Sequence, residues 1–201
     1  MAELAIWLLI AFGVLTFGVR VGIQLRRTGK TGLIGVREGA GAADWASGIL
    51  FVAGMAIGVA SPILVLGDHL EPIDALDVDA LHAIGIVLAA AGGLAVFGAQ
   101  LGMGESWRIG VSDDERTDLI TGGWFSLVRN PIYTSMIFAW LGLALLVPTW
   151  LAFAAVVVIT LGLELQVRSV EEPYLLRAHR DEYRRYASRV GRFVPRAGRL
   201  R

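Results

Sequence analysis

The sequence lacks cysteine entirely and contains only three histidines among its 201 residues. Without cysteine the chain can form no disulfide, no thiolate metal site, no iron–sulfur cluster and no cysteine nucleophile. The histidines, His69, His82 and His179, are scattered and do not have the spacing of metal ligands. We therefore expect no bound metal.

Charge is also scarce. Only 18% of the residues are charged, and 18 basic residues balance 18 acidic ones, so the formal net charge is zero. Nucleic-acid-binding domains normally carry a basic surplus, and we expect no nucleic acid as a partner. Hydrophobic residues make up 55% of the chain, and the mean hydropathy of +0.62 is high for a soluble domain with a polar surface.

The apolar residues occur in long blocks, as is typical of a polytopic membrane protein. Residues 4–25, 47–67 and 81–102 each supply the number needed to cross a bilayer as a helix, about 20 residues. Residues 132–167 are too many for one helix, and proline and tryptophan interrupt them at 147–150. The sequence therefore predicts an all-α integral membrane protein with five transmembrane helices, the last two forming a short hairpin.

The distribution of charge predicts the topology, because lysine and arginine mark cytosolic loops. Residues 69–80 contain four acidic residues and no basic one, whereas ten arginines follow residue 167. The loop after the first block contains Arg26, Arg27, Lys30 and Arg37. We expect an outside N-terminus and a cytoplasmic C-terminus. The abundance of arginine, alanine and glycine further indicates a bacterial plasma membrane.

The chain divides at residue 103 into two regions. Residues 1–103 form an N-terminal region of three transmembrane helices, and residues 104–201 contain the hairpin and an arginine-rich tail. Within the tail, Leu175, Leu176, Tyr183 and Tyr186 can share one face of a helix. This pattern predicts an amphipathic helix on the cytosolic surface of the membrane.

Polar motifs flank the hairpin on its expected cytosolic side. They occupy residues 104–110, 119–125, 128–133, 171–175, 181–186 and 191–195. Since the hairpin returns the chain to the same membrane face, motifs before and after it can meet. Judged by residue type alone, the simpler explanation is a network of ion pairs that fixes the tail to the interface, where polar groups are costly unless paired.

The order and spacing of these motifs resemble the isoprenylcysteine carboxyl methyltransferases and the related phospholipid methyltransferases. A glycine-led turn precedes Arg-Asn-Pro-Ile-Tyr at 129–133, which is followed by Glu-Glu-Pro-Tyr-Leu at 171–175 and a Tyr-Arg-Arg-Tyr tail. The resemblance covers residues 104–195. Asn130 stands where the carboxyl methyltransferases more often have histidine. The resemblance therefore indicates the cofactor more specifically than it indicates the molecule that accepts the methyl group.

The resemblance implies methyl transfer from S-adenosyl-L-methionine to a lipophilic small molecule or lipid at the membrane–cytosol interface. Arg129 suits the cofactor carboxylate, Glu171 and Glu172 suit its ammonium and ribose hydroxyls, and tyrosines suit its sulfonium and adenine. Arg129 and Glu172 are the expected catalytic residues, with Glu172 as the general base for an amine or hydroxyl acceptor. The expected cofactor-binding residues are Arg108, Gly122, Gly123, Arg129, Asn130, Pro131, Tyr133, Glu171, Glu172, Tyr183, Tyr186 and Arg192.

Two other functions fit parts of the pattern. Membrane reductases of the sterol reductase type share a similar C-terminal architecture and use NAD(P)H through an Arg and Asn-Tyr bearing segment, which Asn130 and Tyr133 resemble. A non-catalytic membrane subunit is the other alternative, although the Arg, Glu and Tyr motifs on a single face argue against it. Binding of labelled cofactors distinguishes these functions.

Overall fold

The computed structural model describes residues 1–33, 40–108 and 118–200, and this part of the chain is all-helical. Arg37 of the first loop and residues 109–110 of the first polar motif lie outside the described residues. The helices are α1 (Ala2–Gly13), α2 (Arg20–Thr28), α3 (Ala42–Leu66), α4 (Asp79–Gly102), α5 (Pro131–Leu146), α6 (Trp150–Gln166) and α7 (Glu172–Arg189). Two π-helical stretches, Val14–Val19 and Val167–Glu171, join α1 to α2 and α6 to α7.

The described helices confirm the expected all-α membrane class. Four continuous helices are long and apolar enough to cross a membrane: Ala2–Thr28, Ala42–Leu66, Asp79–Gly102 and Trp150–Arg189. The shorter α5 has 16 residues, so its complete crossing of the bilayer stays a prediction. The last helix has 40 residues, about 60 Å and twice the hydrocarbon core. Its apolar part is α6, and the charged α7 extends beyond the bilayer.

The outer surface of the bundle is apolar, as lipid contact requires. Large hydrophobic side chains on several helices are more than half exposed, among them Trp7, Ile49, Val52, Val87, Leu94 and Trp150. A soluble protein rarely exposes so much apolar surface. The exposure therefore agrees with the composition.

The turn between α5 and α6 lies where the sequence predicts it. Thr149 accepts a hydrogen bond from the backbone N–H of Ala152 at 3.0 Å and so caps α6. The Thr149 hydroxyl also lies 2.7 Å from the buried Ser61 hydroxyl of α3. The N–H of Ile73 donates to the carbonyl of Pro148 at 2.7 Å, so the hairpin tip and the acidic loop lie at the same end of the bundle.

Helix packing depends on glycines at the two closest interfaces, where α5 lies on α4 and α6 lies on α3. A Cβ on Gly142 of α5 would lie 2.3 Å from the backbone nitrogen of Ala89 of α4, and one on Gly54 of α3 would lie 2.9 Å from the backbone nitrogen of Ile159 of α6. Small residues let helices approach closely in lipid. The main core cluster combines Val96 of α4 with residues of α5 and α6. This cluster joins the two regions that the sequence divides at residue 103, and their division by function stays a prediction.

The C-terminal helix α7 differs from the regular amphipathic helix that the sequence suggests. Arg180, with φ of +45°, kinks it. Tyr183, Tyr186 and Ala187 beyond the kink form a core cluster with leucines of the chain itself, including Leu175. The apolar face thus covers the protein rather than lying free for lipid. The Tyr186 hydroxyl, which needs a partner when buried, donates to the Phe125 carbonyl at 2.6 Å.

We expect Gly142→Ala to lower the free energy of unfolding by about 1–3 kcal/mol, because an added methyl group overpacks the interface of α4 and α5. Gly22→Ala is the matched control, since a Cβ there meets no atom within 4 Å. Thermal unfolding of both variants in one detergent measures the difference. Equal stability of the two variants would contradict the close approach of α4 and α5.

Candidate active site

The centre of the candidate site is a buried carboxylate between two guanidinium groups. Arg129 precedes α5 and Glu172 begins α7, and Arg129 Nη2 donates to Glu172 Oε1 at 2.5 Å although the residues are 43 positions apart. Arg192 Nε and Nη2 donate to the two Glu172 oxygens at 2.9 and 2.8 Å. The convergence of motifs before and after the hairpin is thus confirmed.

Arg129 also fixes the tail through backbone carbonyls. Its Nη1 donates to the carbonyls of Ala187 and Val190 at 3.0 and 2.7 Å, and its Nη2 donates to that of Gly198 at 3.0 Å. Only 1% of the side chain is exposed. Both terminal nitrogens of Arg129 are therefore engaged by the protein, which indicates a role in holding the site together.

A short stretch of backbone pairing completes the junction. Val128 and Gly191 form an isolated parallel bridge. The N–H of Arg129 donates to the Gly191 carbonyl at 2.8 Å, and the N–H and side-chain amide of Asn130 both donate to the Arg192 carbonyl at 3.1 Å. The tail is thereby aligned with the residues that enter α5.

The ion pairs determine the charge state of Glu172. Burial alone would raise the pKa of its carboxyl, but the hydrogen bonds from Arg192 and Arg129 outweigh burial and lower the pKa. The hydrogen bond to Glu172 in turn raises the pKa of Arg192. Glu172 is therefore a stable anion whose two oxygens are occupied.

Glu171 has a different environment from its neighbour. It ends the π-helical stretch Val167–Glu171, a distortion that is frequent at functional sites. The Tyr133 hydroxyl donates to Glu171 Oε1, and burial raises the pKa of the Glu171 carboxyl. Gln166, which interacts with Glu171, also accepts a hydrogen bond from the Ser47 hydroxyl of α3 at 2.7 Å.

Arg129, Glu171, Glu172 and Tyr133 line a cavity of about 510 Å³, within the range of about 300–1,000 Å³ for small-molecule sites. Its lining includes nine of the expected residues, all of them polar or charged except Pro131: Arg108, Arg129, Asn130, Pro131, Tyr133, Glu171, Glu172, Tyr183 and Tyr186. Its apolar lining comes from spanning helices and includes Phe17, Phe51, Val52, Met136 and Leu163. One cavity therefore joins a charged region to an apolar region.

The family model for phospholipid methyltransferases matches residues 80–182. This segment, which covers half of the chain, runs from α4 through the hairpin into α7 and includes Glu171 and Glu172. The chain belongs to the phospholipid methyltransferase family. This membership supports membrane methyltransferase activity. A search of curated proteins gives no match.

Three of the expected cofactor-binding residues do not line the cavity. Gly122 and Gly123 are exposed in the turn before α5, where a Cβ on either meets no atom within 4 Å, and Gly123 has φ of +57°. In the described part of the chain, the side-chain hydrogen bonds of Arg192 all go to Glu172, so Arg192 contacts the site through that residue. Their roles in cofactor binding stay predictions.

The sequence analysis missed several residues that line the cavity. Ser47, Gln166 and Tyr174 contribute polar groups, and Arg108 Nη2 donates to the Tyr174 hydroxyl at 3.0 Å. Polar residues near the end of an apolar span are candidate site residues by position alone. That criterion points to Gln166, and Tyr174 lies within the polar motif at 171–175, whereas Ser47 becomes recognisable only once the helices are packed.

We expect Glu172→Gln to lower the free energy of unfolding by about 3–5 kcal/mol, because the buried Arg129 and the partly buried Arg192 lose their counter-charge. Glu164→Gln is the control, since it removes the charge from an ion pair with the exposed Arg168 and should cost at most about 1 kcal/mol. Denaturant unfolding in detergent gives both values. Similar losses in the two variants would show that Glu172 is not the buried centre of the network.

Proposed function

We propose that the protein transfers a methyl group from S-adenosyl-L-methionine to a lipophilic acceptor at the membrane–cytosol interface. The observation that supports this proposal best is the cavity with one charged and one apolar region in a member of a methyltransferase family. A polar cofactor and an apolar acceptor need such a divided environment if their reacting atoms are to meet.

Charge complementarity supports the cofactor. The described lining contains the acidic residues Asp44, Asp118, Glu171 and Glu172 and the basic residues Arg108 and Arg129. Arg192 pairs with Glu172 from outside the lining, so the acidic residues still outnumber the basic ones by one. S-adenosyl-L-methionine carries a sulfonium and an ammonium against one carboxylate, so it fits a lining with surplus negative charge. NADPH carries several phosphate charges and fits this lining poorly, which argues against the reductase alternative.

The protein residues have separate tasks in this proposal. When bound, S-adenosyl-L-methionine supplies an electrophilic methyl group and leaves as a neutral thioether. Arg108 is the candidate partner for its carboxylate, and Glu171 accepts from its ammonium or ribose hydroxyls. The rings of Tyr183 and Tyr186 offer apolar and cation–π contacts. Arg129 and Glu172 hold these groups in position.

An acceptor amine or hydroxyl must lose a proton during transfer, whereas a carboxylate or thiolate need not. Glu172 is a poor base because two arginines occupy its oxygens and lower its pKa. Burial raises the pKa of Glu171, which makes it the stronger base of the two. We therefore propose Glu171 for this task and a supporting role for Glu172.

Calorimetry with the purified protein tests the cofactor. We expect S-adenosylhomocysteine to bind in the micromolar range, about −8 kcal/mol, and NADPH not to bind.

Glu171→Gln should weaken binding of S-adenosylhomocysteine by about tenfold or more, roughly 1.4 kcal/mol. The control Glu182→Gln, on the exposed side of α7, should bind like the wild type. Binding of NADPH alone would favour the reductase, and no binding of either would favour a non-catalytic subunit. A screen of lipophilic acceptors with radiolabelled methyl then identifies the substrate.

We further propose that the N-terminus lies outside a bacterial plasma membrane and that the site faces the cytoplasm. The absence of cysteine permits a direct test with single cysteines. Asp74→Cys in the acidic loop should react with a membrane-impermeant maleimide on intact cells, and Glu182→Cys on α7 only after lysis. Both positions are exposed. The reverse pattern would invert the topology, and labelling of both on intact cells would exclude the proposed arrangement.

A further inference from the structure

Arg20, the first residue of α2, is an unusual buried charge. It lies within Ala2–Thr28, a helix apolar and long enough to span a membrane, and only 1% of the residue is exposed. A charged side chain in a membrane helix is costly and is kept only where it has a task. Residue 20 lies outside the segment that matches the family, residues 80–182.

All of the described contacts of the Arg20 side chain lead to the segment that follows α4. Its Nη2 donates to the carbonyl of Gly104 at 2.6 Å. Its guanidinium lies 4.4 Å from the centroid of the Trp107 ring, within the range of a cation–π contact. Nε and Nη1 find no hydrogen-bond partner among the described residues. The carbonyl and the aromatic ring are therefore its compensation for burial.

Two further residues of the N-terminal segment contact the same place. One turn after Arg20, Gln24 Nε2 donates to the carbonyl of Glu105 at 2.8 Å. Beyond α2, Gly32 has φ of +75°, and a Cβ on it would lie 3.0 Å from the Trp107 ring and 3.1 Å from the Trp107 carbonyl. Trp107 is consequently 2% exposed.

Residues 104–108, which these contacts hold in place, form one wall of the cavity proposed to bind the cofactor. Ser106, Trp107 and Arg108 line it. Arg108 also donates to the hydroxyl of Tyr174 at 3.0 Å and so connects this wall to α7. The position of residues 104–108 therefore affects the shape of the cavity directly.

We propose that Arg20, Gln24 and Gly32 form a clamp on Trp107 that positions this wall for cofactor binding. The inference rests on the proposed function, because it assumes that the cavity holds the cofactor. Arg20 is a positioning residue here, since it acts through Gly104 and Trp107 and does not itself line the cavity.

Binding of S-adenosylhomocysteine to the full-length protein in nanodiscs tests the clamp. Arg20→Met keeps the length of the side chain and should weaken binding by about tenfold. Arg20→Lys retains a charge for the ring and a donor for the Gly104 carbonyl, and should recover most of the affinity. Arg26→Met, at an exposed arginine of the same helix, should bind like the wild type. In steady-state kinetics Arg20→Met should raise the cofactor KM and leave kcat nearly unchanged. Loss of kcat at unchanged KM, or equal affinity of Arg20→Met and wild type, would overturn the proposal.

The glycines supply an independent pair of variants. Gly29 and Gly32 have nearly the same φ, +72° and +75°, but a Cβ on Gly29 meets no atom within 4 Å. Both alanine variants suffer the same backbone strain, and only Gly32→Ala disturbs Trp107. We expect weaker cofactor binding in Gly32→Ala than in Gly29→Ala. Equal effects would remove Gly32 from the clamp.

A readout without cofactor separates this proposal from the proposed function. A nitroxide on Glu105→Cys, the single cysteine of that variant, reports the motion of residues 104–106. We expect a mobile label after Arg20→Met and an immobile one after Arg26→Met. If the wild type binds no S-adenosylhomocysteine, the proposed function fails and the label alone decides whether Arg20 restrains this segment. An unchanged label in Arg20→Met would overturn the clamp even if the cofactor binds.

Discussion

The ion pairs of Glu172 connect segments around the candidate site that lie far apart in sequence. One carboxylate receives donors from Arg129, before the hairpin, and from Arg192, in the tail. In a buried environment such a group is stable only while its partners remain, because an unpaired charge is expensive there. The path of the tail, the start of α5 and the start of α7 are therefore mutually dependent.

Glu171 and Glu172 have the same side chain, but their positions in the fold shift their pKa values in opposite directions. Glu172 is surrounded by donors and stays ionised, whereas Glu171 accepts from the neutral Tyr133 hydroxyl and has a raised pKa because of burial. The π-helical stretch Val167–Glu171 ends between the two residues, with Glu171 as its last residue and Glu172 as the first residue of α7. A similar stretch, Val14–Val19, precedes Arg20. Both distortions thus adjoin charged residues at or near the candidate site.

The N-terminal helices do more than fill the membrane. Phe17 and Phe51 give the cavity part of its apolar lining, and Ser47 donates to Gln166 beside Glu171. Arg20 reaches the segment that precedes Arg108. These residues precede the family-matched segment. The site that the family motifs supply is thus completed by helices that the family match does not include.

The sequence by itself determined the membrane class, the approximate positions of the apolar helices and the hairpin turn at Pro148. These depend on local properties: the length of an apolar block, the missing N–H of proline and the spacing of charge. It also indicated that Arg129 and Glu172 come together, because a hairpin returns the chain to one face. Local pattern was enough for these features.

Only the tertiary structure decided which side-chain hydrogen-bond donors are occupied by acceptors of the protein itself. Three of the acceptors that engage Arg129 are backbone carbonyls of Ala187, Val190 and Gly198, and any residue can supply a carbonyl, so the sequence contains no trace of them. The kink at Arg180 and the contact of Arg20 with Trp107 likewise depend on how distant segments pack. Such contacts join residues many positions apart, and their geometry exists only after the helices have assembled.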